Sequence, residues 1–151
     1  SDWDGMILAR AGVVRLGFER RISDLLPLER VLPAVGQGAL AIEIREGDAD
    51  TLRMVKELAS PAATAATLGE RAFLRYLEGG CQVPIGTYGR IEENDFRLDA
   101  MIGSLDGTSI VRGAIHGSPE DSESLGERLA RTLYASGGKA LLEKIRSTSG
   151  V

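Results

Sequence analysis

The spacing of apolar positions changes several times along this chain, and each change predicts a different element. Residues 3–9 end in the run Met6-Ile7-Leu8-Ala9, which reads as a short buried strand. Residues 11–17 read as a short helix or turn, with Gly17 placed to stop it in the left-handed conformation. From 19 to 26, Ile22, Leu25 and Leu26 recur at helical spacing. Pro27 and Pro33 bracket a connecting segment, because proline lacks a backbone donor and restricts its predecessor. Leu32-Pro33-Ala34-Val35-Gly36-Gln37-Gly38 predicts a tight loop, and Ala39-Leu40-Ala41-Ile42-Glu43-Ile44 a second strand. Leu52, Val55 and Leu58 predict a helix over 48–58.

Beyond a first boundary near residue 59 the signals sharpen. Ser60-Pro61 supplies an N-cap acceptor and a first-turn proline for a helix with Leu68, Ala72, Phe73 and Tyr76 on one face, ended by Gly79-Gly80. Three strands are predicted at 85–92, 96–103 and 108–115. In the second, Phe96, Leu98, Ala100 and Ile102 alternate with Arg97 and Asp99. Asp106-Gly107 is a hairpin signal, and such short links imply antiparallel pairing. Ser118-Pro119 predicts another helix start, followed by a Leu125, Leu129, Leu133 stripe. Gly137-Gly138 breaks that helix, and 140–145 forms a last short one. The predicted order is α-β-β-β-α-α, an α+β fold with a three-stranded antiparallel sheet and its helices on one face.

Composition narrows the function classes. The chain has 151 residues, 43% of them hydrophobic and 26% charged, the balance of a globular protein. No apolar run approaches the ~20 residues of a spanning helix, so no membrane role is expected. The first residues carry no signal-peptide pattern and no initiator Met, which suggests a start partway through a longer protein or a trimmed one. A net charge of −4 argues against nucleic acid, which needs a basic footprint. A single cysteine excludes an internal disulfide and any zinc site built on several thiolates, and fits a cytoplasmic location.

That cysteine lies in Leu77-Glu78-Gly79-Gly80-Cys81-Gln82-Val83-Pro84-Ile85-Gly86, between a predicted helix and a predicted strand. Two readings stand. The glycines let the backbone approach another body closely, which would present the thiol as a nucleophile. Alternatively Cys81 is a small buried hydrophobe at a helix end.

The segment from Leu77 to Gly86 resembles the cofactor-attachment loop of porphobilinogen deaminases. The loop Leu32-Pro33-Ala34-Val35-Gly36-Gln37-Gly38-Ala39 and the segment Ala11-Gly12-Val13-Val14-Arg15-Leu16-Gly17 resemble that family too, in its order and approximate spacing. The resemblance covers essentially the whole chain but only about the C-terminal half of the family's length. It implies a three-domain, cytoplasmic, monomeric transferase of tetrapyrrole (haem and chlorophyll) biosynthesis. That enzyme condenses four porphobilinogen units into hydroxymethylbilane and releases ammonia. It also implies that Cys81 holds a dipyrromethane cofactor through a thioether, with Gly79 and Gly80 giving the loop its freedom. Arg15 is implied to pair with pyrrole carboxylates through its bidentate fork. Gln37 matches a position near the cofactor, and can equally stabilise its own loop.

The implied partition is 1–32 as the tail of domain 2, 33–59 as hinge and return segment of domain 1, and 60–151 as domain 3. The first two pieces would be fragments of α/β domains. The family's general acid/base aspartate belongs to the absent N-terminal part, so no catalytic residue is expected here and this chain alone is expected to be inactive. Its expected partners are porphobilinogen, oligopyrrole intermediates and the missing N-terminal domains. Arg71 and Arg75 read as a solvated helix face or a cleft border, and His116 as exposed in a polar turn. Glu92-Glu93-Asn94-Asp95 reads as a turn, and no metal site is expected. The alternative from another class is a non-catalytic α+β small-molecule-binding or interaction module with an inert cysteine.

Overall fold

The computed structural model describes residues 2–78 and 83–149. The chain divides into two compact units, with the break between Val31 and Leu32.

The first unit contains one short helix, α1 (Arg10–Arg15), and a single 3-10 turn at Glu19–Arg21. None of its described residues is buried. The strand expected at 3–9 does not form, and Trp3, Met6, Ile7 and Leu8 are exposed. Among the described residues no strand lies beside it, and an isolated extended segment has no ladder to join. The helical spacing over 19–26 yields only the one 3-10 turn. Beyond Ile22, itself extended, the chain runs irregularly to Pro27.

In the second unit the strand expected at 39–44 is likewise absent, and Leu40 is almost fully exposed. Helix α2 (Ala49–Lys56) forms as the pattern predicts, started by Asp48, whose side chain accepts from Thr51 N at 3.0 Å. It buries none of its residues.

The rest is a layer of helices on a sheet. Helix α3 (Pro61–Tyr76) begins at Ser60, whose hydroxyl accepts from Ala63 N. Strands β1 (Ile85–Glu92), β2 (Asp95–Gly103) and β3 (Ile110–Gly117) form an antiparallel sheet in the order β1-β2-β3, with Gly89 opposite Leu98 and Leu98 opposite Ile115. Helices α4 (Ser122–Leu133) and α5 (Lys139–Ser149) follow. Phe96, Leu98, Ala100 and Ile102 point to one side of β2 and are fully buried against Phe73, Leu125, Leu129, Leu133 and Leu142. The α+β architecture with helices on one sheet face is the one the alternation predicts.

Three details differ from the sequence pattern. On α3 the buried stripe is Ala65, Gly69, Ala72 and Phe73, whereas Leu68 and Tyr76 are exposed. Small residues win because α4 crosses very close: a Cβ on Gly126 would lie 2.1 Å from the Gly69 carbonyl oxygen. Strand β3 starts at Ile110, not 108, because Ser104, Asp106, Thr108 and Ser109 are bound up in the hairpin turn. Ser118-Pro119 opens a 3-10 turn (Pro119–Asp121) without a side-chain cap, and α4 starts after it. The break at Gly137 is real: its φ of +122 kinks the chain between α4 and α5.

Candidate functional site

Helix α3 leads into the cysteine-bearing segment of the sequence. It ends at Leu77, which is 2% exposed, and Glu78 then takes a φ of +49 that turns the chain out of the helix. Gly79, Gly80 and Cys81, together with Gln82, lie outside the described residues. The chain returns at Val83, which packs against the core.

Both feet of this loop are held. The Leu77 carbonyl accepts from Arg146 Nη2 of α5 at 3.1 Å, and the same guanidinium lies 3.6 Å from the Glu78 carboxylate. A cation at the end of α3 also suits the negative pole of the helix dipole. On the other foot, the Pro84 carbonyl accepts from Gly103 N at 2.8 Å, which ties the loop to the end of β2.

The second motif, 32–38, docks on the outer edge of β1. Leu32 is buried against Gly86, where a Cβ would lie 2.8 Å from that of Leu32. Thr87 N donates to the Pro33 carbonyl at 2.9 Å. Gly36 and Gly38 take φ values of +73 and +83, which favour glycine. Gln37 has an exposed side chain that makes no hydrogen bond among the described residues. Its backbone N–H closes the loop's turn onto the Ala34 carbonyl at 3.0 Å.

The residue that fixes this loop is one the sequence pattern did not single out. Glu70 of α3 is 7% exposed, and its two oxygens accept from Gly36 N at 2.6 Å and Gly89 N at 2.7 Å. The available signal was an acid set between Gly69 and Phe73 on the buried stripe, a place where an acid must find donors.

Arg15 stands in the last turn of α1, exposed, with no ion pair among the described residues. Gly17, φ +72, follows as the expected stop. Arg15 and Gln37 belong to different compact units. Of the remaining candidates, Arg75 pairs with Glu123 of α4, and Arg71 is exposed. His116 is exposed too, but within β3 and not after it.

A shallow groove of about 560 Å³ along α3 and α4 is lined by Ala72, Arg75, Tyr76 and Ser124 together with Glu120, Asp121, Glu123 and Glu127. Four acids against one arginine make it unsuited to polycarboxylate ligands. Among the described residues no cluster of His, Cys, Asp and Glu could hold a metal ion, and no helix is long and apolar enough to cross a membrane.

Comparison with known proteins places these motifs. Residues 64–135 match the family model described as porphobilinogen deaminase, C-terminal domain. Residues 1–53 match the one described as porphobilinogen deaminase, dipyromethane cofactor binding domain. The chain is 44% identical over 144 residues to the porphobilinogen deaminase of Desulforamulus reducens, covering 95% of this chain and 47% of that protein. It is 45% identical over 145 residues to that of Carboxydothermus hydrogenoformans, covering 96% and 47%. For Chlorobaculum tepidum the figures are 43% over 150 residues, covering 97% and 48%. The chain thus spans about half the length of the curated relatives it matches. With two family models and relatives of this similarity agreeing along nearly its whole length, the chain belongs to the porphobilinogen deaminase family.

Proposed function

We propose that this chain is the cofactor-bearing part of an enzyme that condenses four porphobilinogen units into hydroxymethylbilane with release of ammonia. The observation that carries the reading is the setting of the attachment motif. The chain's only cysteine falls between two anchored feet, Leu77 and Val83, inside the segment that matches the family's C-terminal domain.

The residues present suit a dipyrromethane. Cys81 supplies the thiolate that forms the thioether, a bond stable to hydrolysis, so the primer stays when product is cut away. Once bound, the dipyrromethane offers the nucleophilic pyrrole carbon on which the chain of rings grows. Arg15, exposed and unpaired among the described residues, binds acetate or propionate groups bidentately. Gln37, with its side chain free among the described residues, offers a donor and an acceptor to pyrrole N–H and carboxylate groups. Gly79 and Gly80 give the Cys81 loop the backbone latitude to follow a lengthening oligopyrrole.

The domain partition that goes with this reading is 1–32 as the tail of domain 2, 33–59 as hinge and return to domain 1, and 60–151 as domain 3. It is supported by the break in packing after Val31 and by the two family matches, which end at 53 and resume at 64. The general acid/base aspartate, further substrate-binding cations and the remaining domains belong to the rest of a cytoplasmic, monomeric parent. This chain alone is therefore inactive.

Intact mass spectrometry of the full-length parent tests the reading. An adduct of two pyrrole units that disappears in Cys81→Ser is the expected result. A bare thiol in a parent that makes hydroxymethylbilane defeats the assignment of Cys81. Turnover by the 151-residue chain alone defeats the claim of incompleteness.

A further inference from the structure

The segment that carries Cys81 is held differently at its two feet. Downstream, core packing and backbone do the work: Val83 packs on the core, and the Pro84 carbonyl accepts from Gly103 N. Upstream, a side chain does it. The Leu77 carbonyl accepts from Arg146 Nη2 at 3.1 Å, and the same nitrogen lies 3.6 Å from the Glu78 carboxylate. Carbonyls at a helix end have no partner within the helix, so a charged donor there satisfies a group otherwise left to solvent. The grip comes from 69 residues further along the chain. Leu142 and Ile145 sink α5 into the core, Leu142 in the same cluster as Leu77, and Arg146 stands one turn beyond Leu142.

The backbone at Glu78 is a second, independent observation. Its φ of +49 is one that glycine adopts freely and other residues only at a cost. Among the described residues one other non-glycine has a positive φ, Glu93, and it stands in the two-residue turn between the paired Glu92 and Asp95, which demands it. Just past a helix end glycine serves best, and Gly79 follows at once in the sequence. What glutamate adds at 78 is a carboxylate beside Arg146. The pair is largely exposed and contributes little to stability. Its effect is on direction.

We propose that Arg146 is a positioning residue: from the C-terminal helix it fixes, through the Leu77 carbonyl and the Glu78 carboxylate, the direction in which the chain leaves α3 toward Cys81. The consequence for turnover rests on the enzyme reading above; the grip itself does not. Arg146 acts through this foot and not by touching the substrate. Lysine at 146 keeps the charge but lacks the planar fork, and glutamine keeps an NH2 donor without the charge.

The test uses the full-length parent with Arg146→Gln, Arg146→Lys, Glu78→Gln and the double variant Arg146→Gln/Glu78→Gln, read by turnover and by hydrogen exchange. Arg146→Gln is expected to lower kcat about tenfold, the loss of one hydrogen bond from a charged donor, with KM for porphobilinogen nearly unchanged. Arg146→Lys should recover part of the kcat. Glu78→Gln alone should cost about threefold, and in the Arg146→Gln background nothing further, as expected of two groups that act as one. Exchange in 73–78 should rise about tenfold in Arg146→Gln, while peptides from 96–103 keep their protection. Normal kcat in Arg146→Gln overturns the positioning role. Equal acceleration in 96–103 overturns it too, by reducing Arg146 to a general stabiliser. Losses that multiply in the double variant overturn the joint grip. A bare Cys81 thiol in an active wild-type parent strikes the enzyme reading instead, and exchange in 73–78 then decides the grip by itself.

Discussion

Strand β2 and the segment 3–9 present comparable apolar runs, and they end in opposite states. Phe96, Leu98, Ala100 and Ile102 are fully buried, while Met6, Ile7 and Leu8 are 64%, 76% and 62% exposed. Apolar content does not separate them. Strand β2 has β1 on one side and β3 on the other, and α3 and α4 cover its apolar face. Segment 3–9 has no ladder partner among the described residues. A strand is stabilised by its cross-strand pairs and by what covers it, so the pattern nominates a strand and the partners decide.

The largest test of that contrast is truncation on each side of it. Phe96→Ala should destabilise this chain by about 3–5 kcal/mol in a denaturant titration, since Phe96 is fully enclosed. Ile7→Ala should change stability by less than about 0.5 kcal/mol, as expected for a residue three-quarters exposed. Comparable losses at the two sites would break the comparison, because they would show that 3–9 is packed in solution.

Next in size is a contrast between two helices. Gly126→Ala in α4 places a Cβ 2.1 Å from the Gly69 carbonyl and forces α3 and α4 apart. A loss of about 1–3 kcal/mol is expected, read as a lowered melting temperature. In α1, Gly12 has nothing within 4 Å of an added Cβ. Gly12→Ala should leave stability unchanged or improved by up to about 1 kcal/mol through helix propensity, with a gain in far-ultraviolet helical signal. A destabilising Gly12→Ala would mean that α1 packs closely against something.

These contrasts show what was legible in the sequence. The start of α3 could be read because Ser60 and Pro61 act on their own helix. The core face of β2 could be read because strand alternation is local. The identity of the buried side of α3 could not. A closely crossing partner selected Gly69 over Leu68, and only tertiary contact reveals that. The cysteine-bearing segment 77–86 and the 32–38 loop stood out through family motifs, whereas Glu70, which anchors the second, looked like an ordinary helix acid. Its role depends on donors 34 and 19 residues away. The expected strands at 3–9 and 39–44 failed for the same reason: nothing local records whether a ladder partner is present.

The β2–β3 turn offers a pH-dependent test of how the ladder is fixed. Hydrogen bonds from the Ser104 hydroxyl, and then from Thr108 N and Oγ1, hold the Asp106 carboxyl below the usual carboxylate range. A group whose folded pKa is depressed stabilises the fold above its unfolded value, near 3.9, and loses that contribution as pH falls through the folded value. Asp106→Ala should therefore lower the melting temperature at neutral pH, and the gap to wild type should narrow progressively below about pH 4. A gap independent of pH from 7 to about 2 would show that the ionised carboxylate does not hold the turn.

The smallest effect sits inside the well-packed region itself. Thr87 and Ser104 are both buried, at 0% and 8% exposure, but they differ in partners. Ser104 donates to Asp106 and accepts from Ser109 N at 3.0 Å, whereas Thr87 Oγ1 has no hydrogen-bond partner among the described residues. A buried hydroxyl without a partner gives up its hydration for nothing, so removing it should not hurt. Thr87→Val keeps the branched shape and the strand preference, and is expected to be neutral or stabilising by up to about 1 kcal/mol in the same denaturant titration. Ser104→Ala should cost about 1 kcal/mol, because it removes one of the three hydrogen bonds to Asp106 and leaves Ser109 N without its acceptor. If Thr87→Val instead destabilised the chain by more than Ser104→Ala, the Thr87 hydroxyl would have to hold a partner of its own beneath β1, and burial in this region would be better satisfied than its packing indicates.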